Sequence, residues 1–315
     1  MQTKPFGNTD LRVSEFGLGC ARIGGIFQGD SGGFVRLLRT AFDGGITFYD
    51  TADMYSQGES ETLVGRAFRA DRHKVVIASK FGYVLPAQRR LVARIKPFVR
   101  PLIRLIKLKR SALPSGVRGS PTQDFTPGYL RQAVEGSLRR LRTDYLDLYQ
   151  LHSPSAEAVA RADWLPALED LKRAGKIRYW GISVDTTEAG QAALRQPGVS
   201  SLQMVVNLLD QRQVEALLPV AREKRIGVIA RECLANGMLV KNAEDINLQN
   251  FFASDEERAL GTRRLEEYRR QAQAEGIPLA TLALRYVKGL EGVATSLVGT
   301  KSEPQLRALL RQLPG

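Results

Sequence analysis

The sequence is poor in the features that mark secreted, disulfide-linked or membrane-spanning proteins. Its 315 residues include two cysteines, Cys20 and Cys233, which lie far apart and exclude a disulfide scaffold. No window approaches eighteen uncharged apolar residues, the length that a transmembrane helix needs. The opening stretch MQTKPFGNTDLRVSEFG has no apolar core of a secretion signal. These absences predict a cytoplasmic protein.

Acidic residues are missing from one long segment. Residues 72–123 contain 13 Lys or Arg and no Asp or Glu, whereas the rest of the chain contains 33 basic and 33 acidic residues. The formal net charge of +13 therefore belongs to that segment and not to the body of the protein. A chain whose body is neutral is not expected to bind nucleic acid.

Short apolar runs recur along the whole chain and alternate with helical patterns. Several of the runs are rich in Val and Ile, which is typical of strands covered on both faces. We predict eight strands, at residues 15–19, 46–50, 74–80, 145–152, 176–183, 202–207, 226–230 and 293–299. Helical patterns lie between them, at residues 32–45, 60–68, 126–141, 163–176, 213–227 and 303–313, with weaker ones at 186–196 and 278–290.

This alternation predicts an α/β fold, a (β/α)₈ TIM barrel forming one domain over residues 1–315. The stretch KPFGNTDLRVSEF before the first barrel strand predicts an N-terminal β-hairpin. The alternative is a doubly wound open sheet, which in a nucleotide-binding protein carries G-x-G-x-x-G after its first strand. Here GLGCAR has Arg22 at the sixth position, and no P-loop motif is present.

Four polar residues converge on one rim of the predicted barrel. The second, third and fourth strands end at Asp50, Lys80 and His152, and Tyr55 follows Asp50 in the next loop. In such barrels the active site lies at the carboxyl ends of the strands. Each residue alone has an ordinary structural explanation, such as a turn carboxylate or a surface lysine. Their coincidence at consecutive strand ends predicts a catalytic site.

The combination suits proton donation to an oxygen that becomes negative. A tyrosine with a pKa near 10 is a weak acid at neutral pH, and a nearby ammonium group lowers that pKa. A carboxylate can hold the lysine in place, and a histidine can orient a carbonyl. The chain has only two histidines, and His73 precedes its strand, so His152 is the candidate.

The motifs that surround these four residues resemble the aldo-keto reductase family. They are GITFYDTADMYSQGESETLVGRAF, VVIASKFG, SLRRLRTDYLDLYQLHSP, LEDLKRAGKIRYWGIS, LQMVVNLLD and LVGTKSEPQL. The resemblance covers about residues 4–310, apart from the segment near 83–123. It implies that Asp50, Tyr55, Lys80 and His152 form a catalytic tetrad in which Tyr55 donates the proton, and that an aldehyde or ketone is reduced to an alcohol, or the reverse.

The resemblance also implies a nicotinamide cofactor, NADP(H) in preference to NAD(H). The matching positions for cofactor contacts are Ser183, Gln203, Arg231, Leu234, Gly299, Lys301, Ser302 and Gln305. Among these, Ser183 and Gln203 match positions that bind the carboxamide, and Lys301 suits a ribose 2′-phosphate. Four positions depart from the family pattern, and Val184 and Leu309 each stand where Asn is common. Arg231 stands where many members have an aromatic residue, and Gln305 where many NADPH-preferring members have Arg. No metal site is predicted.

The segment without Asp or Glu predicts a basic amphipathic insertion after the third strand. Within residues 83–123, the stretch 88–110 separates apolar from basic side chains on a helical wheel, and two prolines oppose one straight helix. We interpret it as a lid over the site. Weak contact with anionic membranes and a basic entrance for anionic substrates are alternatives. Nucleic-acid binding ranks last, because an aromatic stacking set is missing.

Two other function classes stay open at this point. An NADPH-binding regulatory or redox-sensing subunit with slow turnover would keep the same tetrad. A membrane-surface interaction protein would use residues 88–110. The expected partner is a small carbonyl or alcohol substrate, and the expected state is a monomer or small homo-oligomer. The substrate itself has no readable code in the loops.

Overall fold

The fold was obtained from a computed structural model. It describes residues 1–24, 31–84, 122–241, 246–248, 251–252, 254–300 and 302–313. The predicted insertion at 83–123 therefore falls almost entirely outside the described residues, and so does the predicted lid at 88–110. Lys301 lies outside them as well.

Eight parallel strands close into a barrel, as the sequence predicts. In chain order the described strands are β1 (Thr3–Pro5), β2 (Arg12–Ser14), β3 (Phe16–Gly19), β4 (Phe48–Asp50), β5 (Val76–Phe81), β6 (Tyr83–Val84), β7 (Thr122–Gln123), β8 (Leu146–His152), β9 (Ile177–Ser183), β10 (Ser201–Val205), β11 (Gly227–Arg231) and β12 (Val293–Gly299). The barrel order is β3-β4-β5-β8-β9-β10-β11-β12, with β12 pairing back onto β3. The prediction of a (β/α)₈ barrel is confirmed.

Helices follow the strands and cover the outside of the barrel. They are α1 (Ser31–Asp43), α2 (Glu59–Phe68), α3 (Pro127–Leu141), α4 (Ala156–Arg161), α5 (Leu165–Arg173), α6 (Thr187–Ala193), α7 (Arg212–Glu223), α8 (Asp255–Ala274), α9 (Leu279–Gly289) and α10 (Glu303–Gln312). The predicted helix at 163–176 is α5, and α4 precedes it without having been predicted. The main apolar core lies between the outer strand faces and these helices.

The N-terminal hairpin closes the bottom of the barrel. Strands β1 and β2 pair antiparallel, with Lys4 opposite Val13, which confirms the predicted hairpin. Phe6, Leu11 and Val13 are buried in a cluster with inward-facing side chains of the barrel strands. Gly227 begins β11 directly beside this buried cluster, and a Cβ atom at position 227 would lie 2.8 Å from the Phe6 ring. Glycine is needed there because any side chain would displace the phenyl ring.

The two short strands β6 and β7 form a separate antiparallel pair at the opposite end. Tyr83 lies opposite Gln123, and Val84 lies opposite Thr122. The insertion thus leaves and re-enters the barrel at one paired stem. Among the described residues, no helix is long and apolar enough to cross a membrane.

A buried carboxylate joins three parts of the barrel floor. Asp147 on β8 is 2 % exposed and accepts the backbone N–H of Ile77 at 3.0 Å. Its two oxygens also pair with Arg72 at 2.8 Å and Arg178 at 2.9 Å. Arg178 in turn pairs with Asp10 in the hairpin turn at 2.9 Å. This network fastens the hairpin to β8 and β9.

We expect Asp147→Asn to lower the free energy of unfolding by about 2–3 kcal/mol, because it leaves Arg72 partly buried without its anionic partner. Urea denaturation followed by circular dichroism measures the change. The matched control is Glu291→Gln, which breaks the exposed pair with Arg222 at 2.8 Å and should cost less than about 1 kcal/mol. Equal losses in both variants would contradict a structural role for the buried network.

Candidate active site

The barrel register brings the predicted strand-end residues together. Asp50, Lys80 and His152 lie on β4, β5 and β8, which are consecutive in the barrel, and all three are at least nine-tenths buried. His152 is opposite Ser183 on β9, and Ser183 is opposite Gln203 on β10. Five neighbouring strands therefore contribute one polar side chain each to the same end of the barrel.

The loop after β4 carries Tyr55 back over these strand ends. The backbone N–H of Asp53 donates to the Lys80 carbonyl at 3.1 Å, which holds the loop against β5. The turn Tyr55–Gly58 then follows, with Ser56 at φ 50° and Gln57 at φ 63°. Gly58 ends it at φ 85°, where a Cβ atom would lie 2.6 Å from Arg140 Cδ. The left-handed turn reverses the chain into α2 and leaves the phenol at the rim.

Lys80 and Asp50 form a buried ion pair beneath Tyr55. Lys80 Nζ donates to Asp50 Oδ2 at 2.6 Å and to the Thr51 carbonyl at 3.0 Å, and the lysine is 1 % exposed. Its ammonium group also lies 5.1 Å from the centroid of the Tyr55 ring. Burial lowers the pKa of Lys80, but the charges of Asp50 and Tyr55 outweigh burial and hold its pKa above the ordinary value. The lysine is therefore cationic at neutral pH.

Burial and charge act against each other at Tyr55. Burial raises the pKa of the phenol and the charge of Lys80 lowers it. Burial prevails, so the pKa lies above the ordinary value, and the predicted lowering of the pKa is wrong. Tyr55 is thus fully protonated at neutral pH, as a proton donor must be. The nearby ammonium reduces the cost of losing that proton.

His152 lies edge-on to two tyrosines on the cavity wall. Its ring centroid is 5.6 Å from that of Tyr55 and 4.9 Å from that of Tyr83, with interplanar angles of 82° and 87°. Burial, together with the charges of Lys80 and Arg231, holds the pKa of His152 well below its ordinary value. The imidazole is therefore neutral at pH 7, with one N–H donor and one acceptor nitrogen.

A cavity of about 710 Å³ lies over these strand ends. Of the predicted tetrad, Asp50, Tyr55 and His152 line it, whereas Lys80 lies beneath the wall. The predicted cofactor residues that line it are Ser183, Gln203, Arg231, Leu234, Gly299 and Gln305. Ser302 is not on the wall, and its hydroxyl instead accepts the N–H of Gln305 as the cap of α10. Lys301 is outside the described residues.

Several buried polar atoms on this wall have no hydrogen-bond partner within the described protein. Both amide atoms of Gln203, Asp50 Oδ1 and His152 Nδ1 are in this group. Gln203 is 1 % exposed, so its unsatisfied donor and acceptor are costly to leave unpaired. A carboxamide offers one acceptor and two donors and complements such an amide beside the Ser183 hydroxyl. The residues present therefore fit the amide group of a nicotinamide cofactor.

Sequence reasoning missed part of the cavity wall. One missed part is the rest of the α10 face that starts at the predicted Gln305, with Ala308, Leu309 and Gln312 following it. Their spacing of three, four and seven residues is the signal of one helix face and could have identified it. Other missed wall residues are Arg22, Asp185, Glu232, Cys233, Asn236, Gly237, Val240 and Thr300. Most of these follow strand ends in irregular loops, where no periodicity exists.

The family model for the aldo/keto reductase family matches residues 17–313. The chain belongs to that family. Aldo/keto reductases are oxidoreductases that use nicotinamide cofactors, so the predicted family and the class of cofactor are confirmed, while the choice between NADP(H) and NAD(H) stays a prediction. The part of the chain that the structure describes contains no group of three or more His, Cys, Asp or Glu able to hold a metal ion.

Relatives from bacteria match this aldo/keto reductase over nearly its full length. The uncharacterized oxidoreductase YqkF of Bacillus subtilis is 30% identical over 98% of this chain and 89% of its own. Pyridoxal 4-dehydrogenase of Microbacterium luteolum is 25% identical over 97% and 91%. The structure is similar to the holo form of aldo-keto reductase AKR11C1 from Bacillus halodurans, with a TM-score of 0.79, 29% identity and coverage of 100% and 91%.

A second carboxylate lies in the loop that carries Tyr55. Asp53 Oδ2 accepts the Tyr129 hydroxyl at 3.3 Å, while Oδ1 is buried without a partner. Burial, with the neighbouring charge of Glu61, raises the pKa of Asp53 to about 7. Because the folded pKa is above the unfolded value of about 3.9, the folded protein loses stability as pH rises between those values, and the loss is complete above pH 7.

We expect Asp53→Asn to stabilise the protein more at pH 8 than at pH 5, by about 2–3 kcal/mol, because asparagine carries no charge to desolvate. Its side-chain oxygen still accepts the Tyr129 hydroxyl. Urea denaturation at the two pH values measures the difference, with Asp163→Asn as control, since Asp163 is 69% exposed. A gain that is the same at both pH values would show that Asp53 does not titrate in this range.

Proposed function

We propose that this aldo/keto reductase interconverts an aldehyde or ketone and its alcohol with NADP(H), using Tyr55 as the general acid in the direction of reduction. The observation that carries the proposal is the buried pair of Lys80 and Asp50, 2.6 Å apart, directly beneath the Tyr55 phenol. A lysine that is 1 % exposed is costly unless it is paired, and it adjoins the phenol that lines the cavity.

In this mechanism the bound cofactor supplies the hydride to the carbonyl carbon, or accepts it in the reverse direction. Tyr55 gives its proton to the carbonyl oxygen as negative charge develops there. Lys80 stabilises the phenolate that remains, because its ammonium is fixed next to the ring and needs no reorganisation. Asp50 keeps Lys80 charged and aimed at Tyr55 through the 2.6 Å hydrogen bond.

His152 serves to orient the carbonyl. As a neutral imidazole it can donate one N–H to the oxygen without placing a second full positive charge beside Lys80. Its ring is held between Tyr55 and Tyr83 by edge contacts. Gln123 on β7 donates from its side-chain nitrogen to the His152 carbonyl at 3.3 Å and to the Ser153 carbonyl at 2.8 Å. Contacts from both strands of the stem thus fix this residue.

The other residues predicted from the family resemblance are proposed to hold the cofactor. Ser183 and Gln203 bind the carboxamide, and Arg231 and Leu234 flank the ring. Gly299 ends β12 with open space around its Cα, so the backbone can approach a bulky ligand. Gln305, Ser302 and Lys301 come from the start of α10 and the residue before its cap. We propose that Lys301 pairs with the 2′-phosphate and thereby favours NADPH over NADH.

Tyr55→Phe should lower kcat for carbonyl reduction at least about 100-fold, because it removes only the acidic proton. The dissociation constant for NADPH, measured by fluorescence titration, should change less than about threefold. The matched control is Tyr145→Phe, which removes a phenol beside Arg72, away from the cavity.

Turnover of Tyr55→Phe near that of wild type would rule out Tyr55 as the acid. A panel of aldehydes and ketones, with the corresponding alcohols for oxidation, serves as substrate. Tight NADPH binding by wild type with only a single slow turnover would favour a regulatory role for this chain. The relative named pyridoxal 4-dehydrogenase and the solved glycerol dehydrogenase AKR11B4 from Gluconobacter oxydans support including alcohols.

Lys301→Ala should weaken NADPH binding about 10- to 100-fold, because it removes a charge-assisted contact with the 2′-phosphate. NADH binding should change less than about twofold, since NADH lacks that phosphate. Calorimetric titration of both nucleotides gives the two constants. The control is Arg307→Ala on α10, whose guanidinium pairs with Glu303 at 2.7 Å. Equal weakening of NADPH and NADH by Lys301→Ala would refute the phosphate contact.

A further inference from the structure

The positively charged side chain of Arg231 lies at the catalytic end of the cavity and is held there by two carboxylates. Arg231 ends β11 and lines the cavity with Tyr55 and Gln203. Its Nη2 donates to Asp185 Oδ1 at 2.5 Å and to the Val184 carbonyl at 2.9 Å. Its Nη1 pairs with Glu232. Arg231 therefore has two anionic partners, and the cluster carries one positive and two negative charges.

The geometry of this cluster fixes the guanidinium over the end of β10. Asp185 follows β9 and Glu232 follows β11, so the ion pairs join the two strands that flank β10. Glu232 is itself held by Asn236, whose Nδ2 donates to Oε2 at 2.8 Å. Glu232 and Asn236 both have left-handed backbone, with φ of 58° and 55°. Such a backbone is uncommon for a glutamate, although asparagine adopts it more readily, and at Glu232 it indicates that the loop is held in one conformation.

The charge of the cluster matters because a nicotinamide ring changes charge during the reaction. The ring is neutral when reduced and cationic when oxidised. A fixed charge beside it therefore changes the affinity for one state relative to the other. An arginine alone would disfavour the oxidised ring, and the two carboxylates oppose that effect.

We propose that Asp185 and Glu232 act as charge-compensating residues that, through Arg231, set the relative affinity of this site for oxidised and reduced nicotinamide cofactor. The inference rests on the proposed function, because it requires the ring to lie next to Gln203 and Tyr55. Asp185 and Glu232 are not catalytic residues in this proposal. Their effect on the ring is electrostatic and reaches it across the guanidinium.

The test is the ratio of the dissociation constants for NADP⁺ and NADPH, measured on the purified full chain by calorimetric titration without substrate. Asp185→Asn keeps an oxygen for the guanidinium but removes one negative charge, so NADP⁺ binding should weaken relative to NADPH. We expect the ratio Kd(NADP⁺)/Kd(NADPH) to rise about three- to tenfold at low salt, and less at 0.5 M salt because Asp185 is 57% exposed. Glu232→Gln should change the ratio in the same direction.

Arg231→Gln should change the ratio in the opposite direction, because it removes the positive charge. Asp170→Asn is the matched control. Asp170 also pairs with two arginines, Arg131 and Arg173, but lies on α5 outside the cavity wall. It should leave the ratio unchanged. A loss of packing alone would weaken both nucleotides equally and would not move the ratio.

The outcomes separate this inference from the proposed function. If wild type binds both nucleotides and reduces a carbonyl, but neither carboxylate variant changes the ratio, the charge-compensation inference is overturned and the proposed function stands. If wild type binds neither NADP(H) nor NAD(H), both are overturned. A rise in the ratio for either carboxylate variant, with a fall for Arg231→Gln, supports the inference.

Discussion

The buried ion pair between Lys80 and Asp50 is the constraint on which the rest of the site depends. A lysine that is 1 % exposed is stable only with an anionic partner, and β4 delivers that partner because it is the neighbour of β5 in the barrel. The pair fixes the Thr51 carbonyl, and the neighbouring Lys80 carbonyl fixes the Tyr55 loop. The positive charge that remains on Lys80 also contributes to keeping His152 neutral. One interaction thus helps to position the proposed acid and, together with burial, helps to keep the neighbouring imidazole neutral.

Where a residue's position follows from strand order, the sequence was sufficient to predict that position. Apolar runs located all eight barrel strands, and the rule that parallel strand ends share a rim brought Asp50, Lys80 and His152 together before any coordinates. Helix α8 was not predicted, because among its described residues only Gly261, Leu265 and Ala272 are buried and such a face has little apolar periodicity.

The cavity wall was predicted less completely, because much of it comes from loops that have no apolar periodicity. Asp185 and Glu232 are important because they contact Arg231. Asp185 is 46 positions from Arg231 in sequence and Glu232 is adjacent to it, and both lie in loops with irregular backbone. Neither spacing nor residue type indicates such a contact. Arg231 itself was predicted only by its match to a family position, which said where it lies but not which carboxylates hold it. The choice of nucleotide stays a prediction for a different reason, since Lys301 lies outside the described residues.

The antiparallel stem of β6 and β7 separates two kinds of evolutionary change. The chain segment between residues 84 and 122 begins and ends at two backbone positions that pair with each other. On the barrel side of that pair, Tyr83 and Gln123 contact His152 directly, so substitutions there disturb the site at once. Both contacts come from residues of the pair itself, so a change of sequence or length beyond the pair does not replace the side chains that make them. The stem is therefore a natural junction for exchanging one insertion with another, and it lets new surface chemistry be acquired while the reaction centre is inherited unchanged.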